Sequence, residues 1–325
     1  MPWEIFTGRG EPRHPSPAWA VVPPPPPWRT RLGQRGEPTR FEATPGLVEA
    51  VNAALHLRRP LLLTGLPGSG KSTLVDLIAD ELELGEVLRW HVTSKSTLGD
   101  ALYQYDALGR LHATQVAKAQ TTRGTPGPAD FGVDDYVTLG PLGTALASNT
   151  HPRALLVDEI DKSDLDLPGD LLNVLELGEF DIPPLVRDAR STTASRDDVT
   201  YTVRGADRAM YTVTNGVVRA THIPVIVFTS NGERAFPPPF LRRCIRFEMP
   251  TPDPDLLARI VACHLGDAVA DRERAAIEDF GRKLREGHSL ALDQLLNLIH
   301  LVTGDAGAGT ASRANLEALI LAELT

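Results

Sequence analysis

The sequence predicts an α/β fold built on a parallel sheet, and three observations support this prediction. Short aliphatic and β-branched runs alternate with amphipathic helical patterns from Gly46 onward. These runs are mostly continuous in apolar character, which is typical of parallel strands covered on both faces. A glycine-rich loop directly follows the first run. From Pro252 onward the patterns are helical only, so we expect a separate helical part after the sheet.

A proline-rich segment precedes the α/β part. Residues 1–45 hold 11 of the 27 prolines, including an unbroken run at 23–27. Proline fixes φ and lacks an amide donor, so this segment should be extended rather than helical. It also contains Trp3, Trp19 and Trp28. Three alternatives stay open: the segment packs along its own domain, docks on a neighbouring protomer, or forms a flexible tether.

The first strand and helix flank a phosphate-binding loop. Residues 65–72, with the sequence GLPGSGKS, match the pattern G-x-x-x-x-G-K-[ST]. Glycines allow successive amides to point at a phosphate, and the helix N-terminus adds its positive dipole end. Lys71 is expected to reach the β- and γ-phosphates, and Ser72 to ligate Mg²⁺. The predicted nucleotide-binding residues are Gly65, Pro67, Gly68, Ser69, Gly70, Lys71, Ser72 and Thr73.

Five core strands and two insertions are predicted in the α/β part. The apolar runs lie at 59–64, 86–93, 153–158, 223–230 and 244–248. A loop around 124–130 separates a helix near 98–120 from a helix that begins around 140–142. A period-two pattern at 199–219 with an Asn-Gly pair predicts a β-hairpin or meander before the fourth core strand.

Four helices are predicted in the C-terminal part, at 253–265, 271–286, 289–302 and 311–324. Asp271 and Ser289 are candidate N-caps. The third helix carries a leucine-rich apolar face. We therefore expect three parts: a proline- and tryptophan-rich extension at 1–45, an α/β nucleotide-binding domain at 46–250, and a helical lid domain at 251–325.

Polar residues end two of the predicted strands. Asp158 and Glu159 follow a buried run, and this pair predicts a metal ligand and a general base. Asp158 would complete the Mg²⁺ shell, and Glu159 would polarise the attacking water. Asn231 ends the next core strand, where its amide could orient that water or contact the γ-phosphate.

Two adjacent arginines follow a proline-rich turn before the last core strand. Arg242 and Arg243 should lie at the domain surface. From there, an arginine could reach the γ-phosphate bound by a neighbouring subunit, and such arginines contribute about 10³–10⁵ in rate. A surface arginine without this role is the alternative.

In the order of these motifs, the chain resembles the MoxR-like branch of the AAA+ ATPases over residues 40–325. The particular similarities are Gly140-Pro141-Leu142, the segment 158–163 (DEIDKS) and the segment 240–244 (FLRRC). The resemblance implies a five-stranded parallel sheet in the order 5-1-4-3-2 and ATP bound between subunits of a ring, usually of six. It also implies an ATP hydrolase with both insertions noted above, Asn231 at the sensor-one position and Arg243 as the arginine finger.

One departure from the family concerns the sensor-two arginine at the start of the third lid helix. Residues 287–292 read GHSLAL and contain no arginine. Lys283 or Arg285 could substitute, or the lid could sense nucleotide poorly. The proline-rich segment resembles that of MoxR-like proteins linked to partners with von Willebrand factor A-type domains, which implies a partner of this kind.

Composition excludes several functional classes. Lys+Arg 33 against Asp+Glu 42 gives a formal charge of −9, so broad attraction to nucleic acid is not expected. The one basic segment, with arginines at 29, 31, 35 and 40, is interpreted as a solvated linker. Two cysteines without metal-ligand spacing fit a reducing cytosol. No run is long enough for a membrane span, so we expect a cytoplasmic protein.

The sequence leaves alternatives to an ATP-driven ring motor or chaperone that remodels a partner. A nucleotide-gated scaffold with little turnover is favoured by the missing lid arginine, whereas Glu159 and Arg243 oppose it. A GTPase would need an [NT]-K-x-D pattern after a later strand, but residues 161–164 (DKSD) have the wrong first residue. A small-molecule kinase would need an acceptor pocket that no residues indicate.

Overall fold

A computed structural model describes residue 26 and residues 41–121, 132–192, 198–288, 290–303 and 310–321. The predictions for the proline- and tryptophan-rich segment, its arginines and the loop at 124–130 lie outside these residues. The chain divides into two compact units. The first unit comprises Pro45–Thr64 and Lys71–Glu248, and the second comprises the described residues up to Thr44, the loop Gly65–Gly70 and the described residues from Met249 onward.

Two sheets are formed by the described strands of the first unit. In chain order the strands are β1 (Leu61–Thr64), β2 (Leu88–His91), β3 (Tyr103–Tyr105), β4 (Val137–Leu139), β5 (Ala154–Asp158), β6 (Glu179–Asp181), β7 (Thr200–Arg204), β8 (Met210–Thr214), β9 (Val217–Arg219), β10 (Val225–Ser230) and β11 (Ile245–Glu248).

The central sheet has five strands, and every neighbouring pair in it is parallel. Its order is β11-β1-β10-β5-β2, which is fifth, first, fourth, third and second when these strands are counted among themselves. The strand numbers reach eleven because the six strands of the second sheet intervene. The predicted α/β fold with a five-stranded parallel sheet is therefore confirmed.

Continuous apolar runs make this sheet the core of the first unit. The three leucines of β1 are almost fully buried, and so are Leu155, Val157 and Phe228 on the neighbouring strands. Burial on both faces is expected where helices cover a parallel sheet. Because the strands are parallel, the last residues of β1, β5 and β10 lie along one edge of the sheet. Polar side chains that follow these strands are thereby brought together.

The second sheet contains the predicted hairpin. Strands β7 and β8 pair antiparallel, and β8 pairs with β9 beyond the Asn-Gly turn. Asn215 and Gly216 both have positive φ, 55° and 74°, as the turn between paired strands requires. The remaining strands β3, β4 and β6 have three residues each, and the sequence did not predict them.

Helices cover the sheets and form the second unit. They are α1 (Pro45–Leu57), α2 (Lys71–Glu81), α3 (Leu98–Leu102), α4 (Ala107–Thr121), α5 (Pro141–Ala147), α6 (Leu167–Leu177), α7 (Pro183–Thr192), α8 (Pro238–Arg243), α9 (Pro254–Leu265), α10 (Asp267–Arg272), α11 (Arg274–Arg285), α12 (Leu292–Thr303) and α13 (Thr310–Ile320). Short 3₁₀ turns span Asp134–Tyr136 and Ile160–Lys162.

The prediction of one helix near 98–120 is wrong. Helix α3 ends at Leu102, and the next three residues form β3, which pairs antiparallel with β4. Tyr103 and Tyr105 flank a polar residue, so the local pattern has period two. Pairing with a distant strand therefore overrides the helical pattern of the flanking residues.

The helical part also departs from the predicted boundaries. Asp271 is not an N-cap: it lies inside α10, and a separate helix α11 starts at Arg274. The break falls at Glu273, a buried carboxylate that accepts a hydrogen bond from Arg313 at 2.9 Å. Ser289 lies outside the described residues. The apolar face of α12 is confirmed, because Leu295, Leu296 and Ile299 are buried in the core of this unit.

The two cysteines form no disulfide. Burial raises the pKa of the Cys244 thiol to about 12, so this group stays protonated as a packing residue. Among the helices of the described ranges, none has the length and apolarity that a membrane span requires.

Candidate functional site

The glycine-rich loop joins β1 to α2 with a backbone that requires glycine. Gly68 and Gly70 have φ of 73° and 83°, in the left-handed region that other residues adopt at a cost. At Gly70 there is also no space for a side chain, because a Cβ would lie 2.7 Å from the Phe41 ring. The Ser69 amide donates to the Leu66 carbonyl at 3.3 Å and closes the turn.

Lys71 is the first residue of α2 and is 8% exposed. Its ammonium donates a hydrogen bond to Oδ1 of Asn231 at 2.9 Å. Burial lowers the pKa of Lys71, and the nearby carboxylates of Asp158, Asp161 and Glu159 oppose this effect. A buried cation therefore faces the acidic end of the sheet.

Ser72 and Asp158 form a hydroxyl–carboxylate pair beside this lysine. The Ser72 hydroxyl donates to Oδ1 of Asp158, the last residue of β5, at 3.1 Å. Mg²⁺ takes oxygen ligands and is usually held by one or two protein groups together with phosphates and water. The two residues fit this pattern. Among the residues that the structure describes, no group of three or more His, Cys, Asp or Glu is placed to hold a metal ion.

Glu159 follows β5 in a left-handed backbone conformation, with φ 58° and ψ 46°. Its Oε2 accepts from Nζ of Lys162 at 2.8 Å and lies 3.4 Å from Nε2 of His91. Its Oε1 lies 3.4 Å from Nδ2 of Asn231. The hydrogen bond to Glu159 raises the pKa of Lys162, which keeps this side chain a cation. Side-chain nitrogen atoms of three residues thus lie around the carboxylate.

Two buried residues that the sequence analysis did not predict as site residues, Thr229 and Asp161, form hydrogen bonds with the predicted ones. The Thr229 hydroxyl donates to Oδ1 of Asp158 at 2.5 Å and accepts from the Glu159 amide at 3.0 Å. Oδ2 of Asp161 accepts from the amides of Asn231 and Glu233, both at 3.1 Å. Asp161 is 4% exposed, so these two hydrogen bonds are formed away from water.

Sequence reasoning missed four contact residues, and three of them have their partners far away in the chain. Lys162 could have been found, since it lies three residues after Glu159. His91 becomes apparent only when β2 pairs with β5, opposite Asp158. Thr229 and Asp161 contact residues about 70 positions away in the chain, so they require the strand order.

The predicted arginine finger does not join this cluster within the single chain. Arg243, at the end of α8, makes a bidentate pair with Glu176 of α6 at 2.5 and 3.1 Å. The Arg242 side chain is exposed, and its carbonyl accepts from Arg59 at 3.4 Å. The structure thus gathers Lys71 with the acids and Asn231, and it pairs Arg243 with Glu176 instead.

The candidate substitutes for the sensor-two arginine lie on α11. Lys283 pairs with Asp279 one turn earlier in the same helix, at 2.9 Å. The hydrogen bond from Lys283 lowers the pKa of Asp279. Arg285 is exposed. A sensing role for either residue stays a prediction.

A phosphate-binding loop between a buried strand and a helix, with two acids at the end of another parallel strand of the same sheet, defines a P-loop nucleoside triphosphatase domain. Residues 60–243 match the model of the AAA domain, dynein-related subfamily. The match covers more than half of the chain, so the chain belongs to this family. The subfamily includes MoxR-like ATPases.

Solved structures of Thermotoga maritima RuvB are similar to this chain. A threonine-to-valine variant of RuvB is 15% identical, with a TM-score of 0.40 over 84% of this chain and 67% of that chain. The RuvB Holliday junction branch migration motor is 14% identical, with the same TM-score and coverage. No curated protein sequence matches the chain.

Proposed function

We propose that this chain is a MoxR-like AAA+ ATPase that hydrolyses Mg-ATP to remodel or activate a partner protein. The convergence of Lys71, Ser72, Asp158, Glu159 and Asn231 at one edge of the central sheet carries the proposal. The family membership supports an ATP-driven oligomeric ATPase. We assign the nucleotide to the α/β domain at 46–250, with the helical domain at 251–325 as its lid.

Each group has a separate role in this proposal. The loop residues 65–73 and Lys71 bind the phosphates, and Ser72 and Asp158 hold Mg²⁺, which neutralises phosphate charge when bound. Glu159 accepts a proton from the attacking water, and the amide of Asn231 orients that water. The burial of Lys71 supports this assignment, because a cation acts more strongly on a phosphate where water is excluded.

The proposed assembly is a cytoplasmic ring, usually of six subunits in this branch. Arg243 of one subunit would reach the γ-phosphate bound by the next subunit. Its position at the end of α8, where the side chain is 40% exposed, supports a role at a subunit boundary. The proposed partner carries a von Willebrand factor A-type domain.

The substitution Glu159→Gln tests the proposed chemistry. It keeps the size and the hydrogen-bonding oxygen of the side chain but removes its basicity. We expect binding of a fluorescent ATP analogue to stay within a few-fold of wild type, while ATP hydrolysis falls by roughly 10²–10⁴. Lys71→Ala is the comparison, because it should weaken binding itself. Hydrolysis at the wild-type rate in Glu159→Gln would show that Glu159 is not the general base.

A nucleotide-gated scaffold with little turnover is the second candidate function. The absence of arginine from residues 287–292 and the pairing of Lys283 with Asp279 favour it. Steady-state ATP hydrolysis per subunit, measured as protein concentration rises, separates the two candidates. A rate that climbs and saturates supports shared sites in a ring, whereas nucleotide binding without turnover, also with the partner present, supports the scaffold.

A further inference from the structure

We propose that Thr229 is a positioning residue that aligns both acids of the site. This inference rests on the proposed function and adds to it a residue that acts through Asp158 and Glu159. Its single hydroxyl connects the carboxylate of one acid to the backbone amide of the next.

The direction of each hydrogen bond is fixed by its partner. An ionised carboxylate only accepts and an amide N–H only donates, so the Thr229 hydroxyl must donate to Asp158 and accept from Glu159. Its Oγ1 lies 2.5 Å from Oδ1 of Asp158 and 3.0 Å from the Glu159 nitrogen. Thr229 is 1% exposed, so little water competes for either bond. Only one orientation of the Thr229 hydroxyl therefore lets it donate to the Asp158 carboxylate and accept from the Glu159 amide at the same time.

Glu159 needs such a contact because of its backbone. A left-handed conformation is unfavourable for a residue with a Cβ and persists only where surrounding contacts hold it. The Thr229 hydroxyl holds the amide on one side, and the Glu159 carbonyl accepts from the Lys162 amide at 2.9 Å on the other. The resulting turn directs the Glu159 side chain out of the strand, toward Asn231.

The strand pairing explains how the Thr229 hydroxyl reaches Asp158. Strand β10 lies beside β5 in parallel, with Phe228 opposite Val157. The next residues of the two strands, Thr229 and Asp158, are therefore adjacent at the carboxyl edge. The β-branched side chain suits a strand, and its hydroxyl crosses to the neighbouring strand end.

The same carboxylate oxygen also accepts from Ser72, the other proposed Mg²⁺ ligand. Loss of the Thr229 hydroxyl should therefore disturb both the metal site and the base. It should leave Lys71 in place through its bond to Asn231, and the loop through its own Ser69–Leu66 bond. The expected signature is a lower kcat and a higher Mg²⁺ requirement at nearly unchanged nucleotide affinity.

The experiment compares Thr229→Val, which keeps the shape but lacks the hydroxyl, with Thr229→Ser, which keeps the hydroxyl. Thr144→Val is the matched control, because Thr144 is fully buried in the same unit and its hydroxyl accepts from the Ala206 amide at 2.9 Å. Each full-length variant is measured for Tm, binding of a fluorescent ATP analogue, and kcat and KM as functions of Mg²⁺ concentration.

We expect Thr229→Val to lower kcat by about tenfold or more and to raise the Mg²⁺ concentration for half-maximal activity. Thr229→Ser should restore most of the loss, and Thr144→Val should lower Tm without changing kcat. Wild-type kcat and Mg²⁺ dependence in Thr229→Val would overturn the inference, as would failure of serine to restore them. If the valine variant does not fold, Thr229→Ala against Thr229→Ser decides the question by the same criteria.

If the ATPase proposal fails, the result differs from the one that would overturn the Thr229 inference. A wild-type protein that never hydrolyses ATP removes the ATPase proposal. The Mg²⁺ dependence of analogue binding then still tests Thr229. A shift of this dependence in Thr229→Val that Thr229→Ser restores would support the inference, and an unshifted curve would overturn it.

Discussion

Glu159 shows how single residues build this site. Its carboxylate is surrounded by Lys162 from the following 3₁₀ turn, His91 from the end of β2 and Asn231 after β10. The Lys162 bond, at 2.8 Å, is the shortest of the three. Thr229 binds the Glu159 backbone and Lys162 binds its carboxylate, so we expect Lys162 to set the direction of the side chain.

The substitution Lys162→Met tests this positioning role. Methionine keeps an unbranched chain but has no charge and no donor, so the Glu159 carboxylate would lose its fixed direction. We expect kcat for ATP to fall roughly tenfold, because a small misplacement of a reacting group is costly. KM should change little, since Lys162 does not contact the phosphate loop in the hydrogen bonds described. Steady-state kinetics at saturating Mg²⁺ measures both constants.

Lys162→Arg is the control for this prediction. Arginine keeps the cation and can bind the same oxygen, so it should recover a large part of the lost kcat. A higher kcat in Lys162→Met would contradict the prediction, because it would mean that the ion pair restrains the base instead of aligning it.

The residues of the site differ in how far the sequence predicts them. Lys71, Ser72 and the pair Asp158–Glu159 follow from local patterns, because each occupies a strand end or helix start that a motif defines. Thr229 carries no local signal, since a buried threonine in a strand usually only packs. Its role follows from the pairing of β10 with β5, which the residues around position 229 do not encode.

At the scale of elements, a buried ion pair links the second sheet to the start of β5. Arg153, the residue before β5, donates to Oδ2 of Asp207 at 2.6 Å and to the Tyr211 hydroxyl at 2.8 Å. It also donates to the Glu86 carbonyl at 3.1 Å. Both partners of the ion pair are nearly buried, with side chains 8% and 11% exposed. The turn between β7 and β8 is thereby fixed to the strand that ends in the site.

The substitution Asp207→Asn tests this link. It leaves the buried Arg153 cation without its counter-charge, so we expect the free energy of unfolding to fall by about 3 kcal/mol at neutral pH. Chemical denaturation of both proteins measures the difference. The double variant Arg153→Met/Asp207→Asn should be less destabilised than Asp207→Asn alone, because it removes the unpaired charge. A single variant as stable as wild type would contradict the prediction.

The difference in unfolding free energy between wild type and Asp207→Asn should also depend on pH. Burial alone would raise the pKa of Asp207, but hydrogen bonds from Arg153, Tyr211 and the Ala209 amide outweigh it and lower the pKa below 3.8. A depressed folded-state pKa stabilises the fold above the unfolded-state value. This stabilisation is lost as pH falls through the folded-state pKa. The gap between wild type and Asp207→Asn should therefore be constant near neutrality and shrink below pH 3.8.

Elements with strong local signals were predicted, and those fixed by distant contacts were not. Helix α2 and the β7–β8 hairpin carry a motif and a period-two pattern, and both formed where expected. The strand β3 interrupts a helical pattern because it pairs with β4 more than 30 residues later in the chain. Likewise α10 and α11 separate at Glu273, which binds Arg313 on α13. In both places a contact with a residue far away in the chain determines the secondary structure.

At the scale of the whole molecule, Arg243 connects the chain to its proposed assembly. Within one chain its guanidinium is bound in bidentate form by Glu176, and it takes no part in the cluster around Glu159. An exposed ion pair of this kind contributes little stability, so a neighbouring subunit can break it at small cost. We therefore propose that Arg243 acts on the nucleotide of a second subunit.

Arg243→Ala tests this requirement. Alone, the variant should bind ATP but hydrolyse it about 10³-fold or more slowly, because the transition-state charge loses its partner. Arg242→Ala, the neighbouring exposed arginine, should stay close to the wild-type rate. ATP hydrolysis and analogue binding are measured for each variant at the protein concentration where the wild-type rate saturates.

Mixing two inactive variants decides whether Arg243 acts between subunits. Lys71→Ala lacks the phosphate-binding lysine but keeps Arg243, whereas Arg243→Ala keeps an intact loop. In an equal mixture that assembles at random through a head-to-tail interface, about one quarter of the interfaces combine an intact loop with an intact arginine. The mixture should therefore regain activity that neither variant has alone. If it stays inactive after the subunits have exchanged, Arg243 acts within its own chain, and the shared-site ring loses its support.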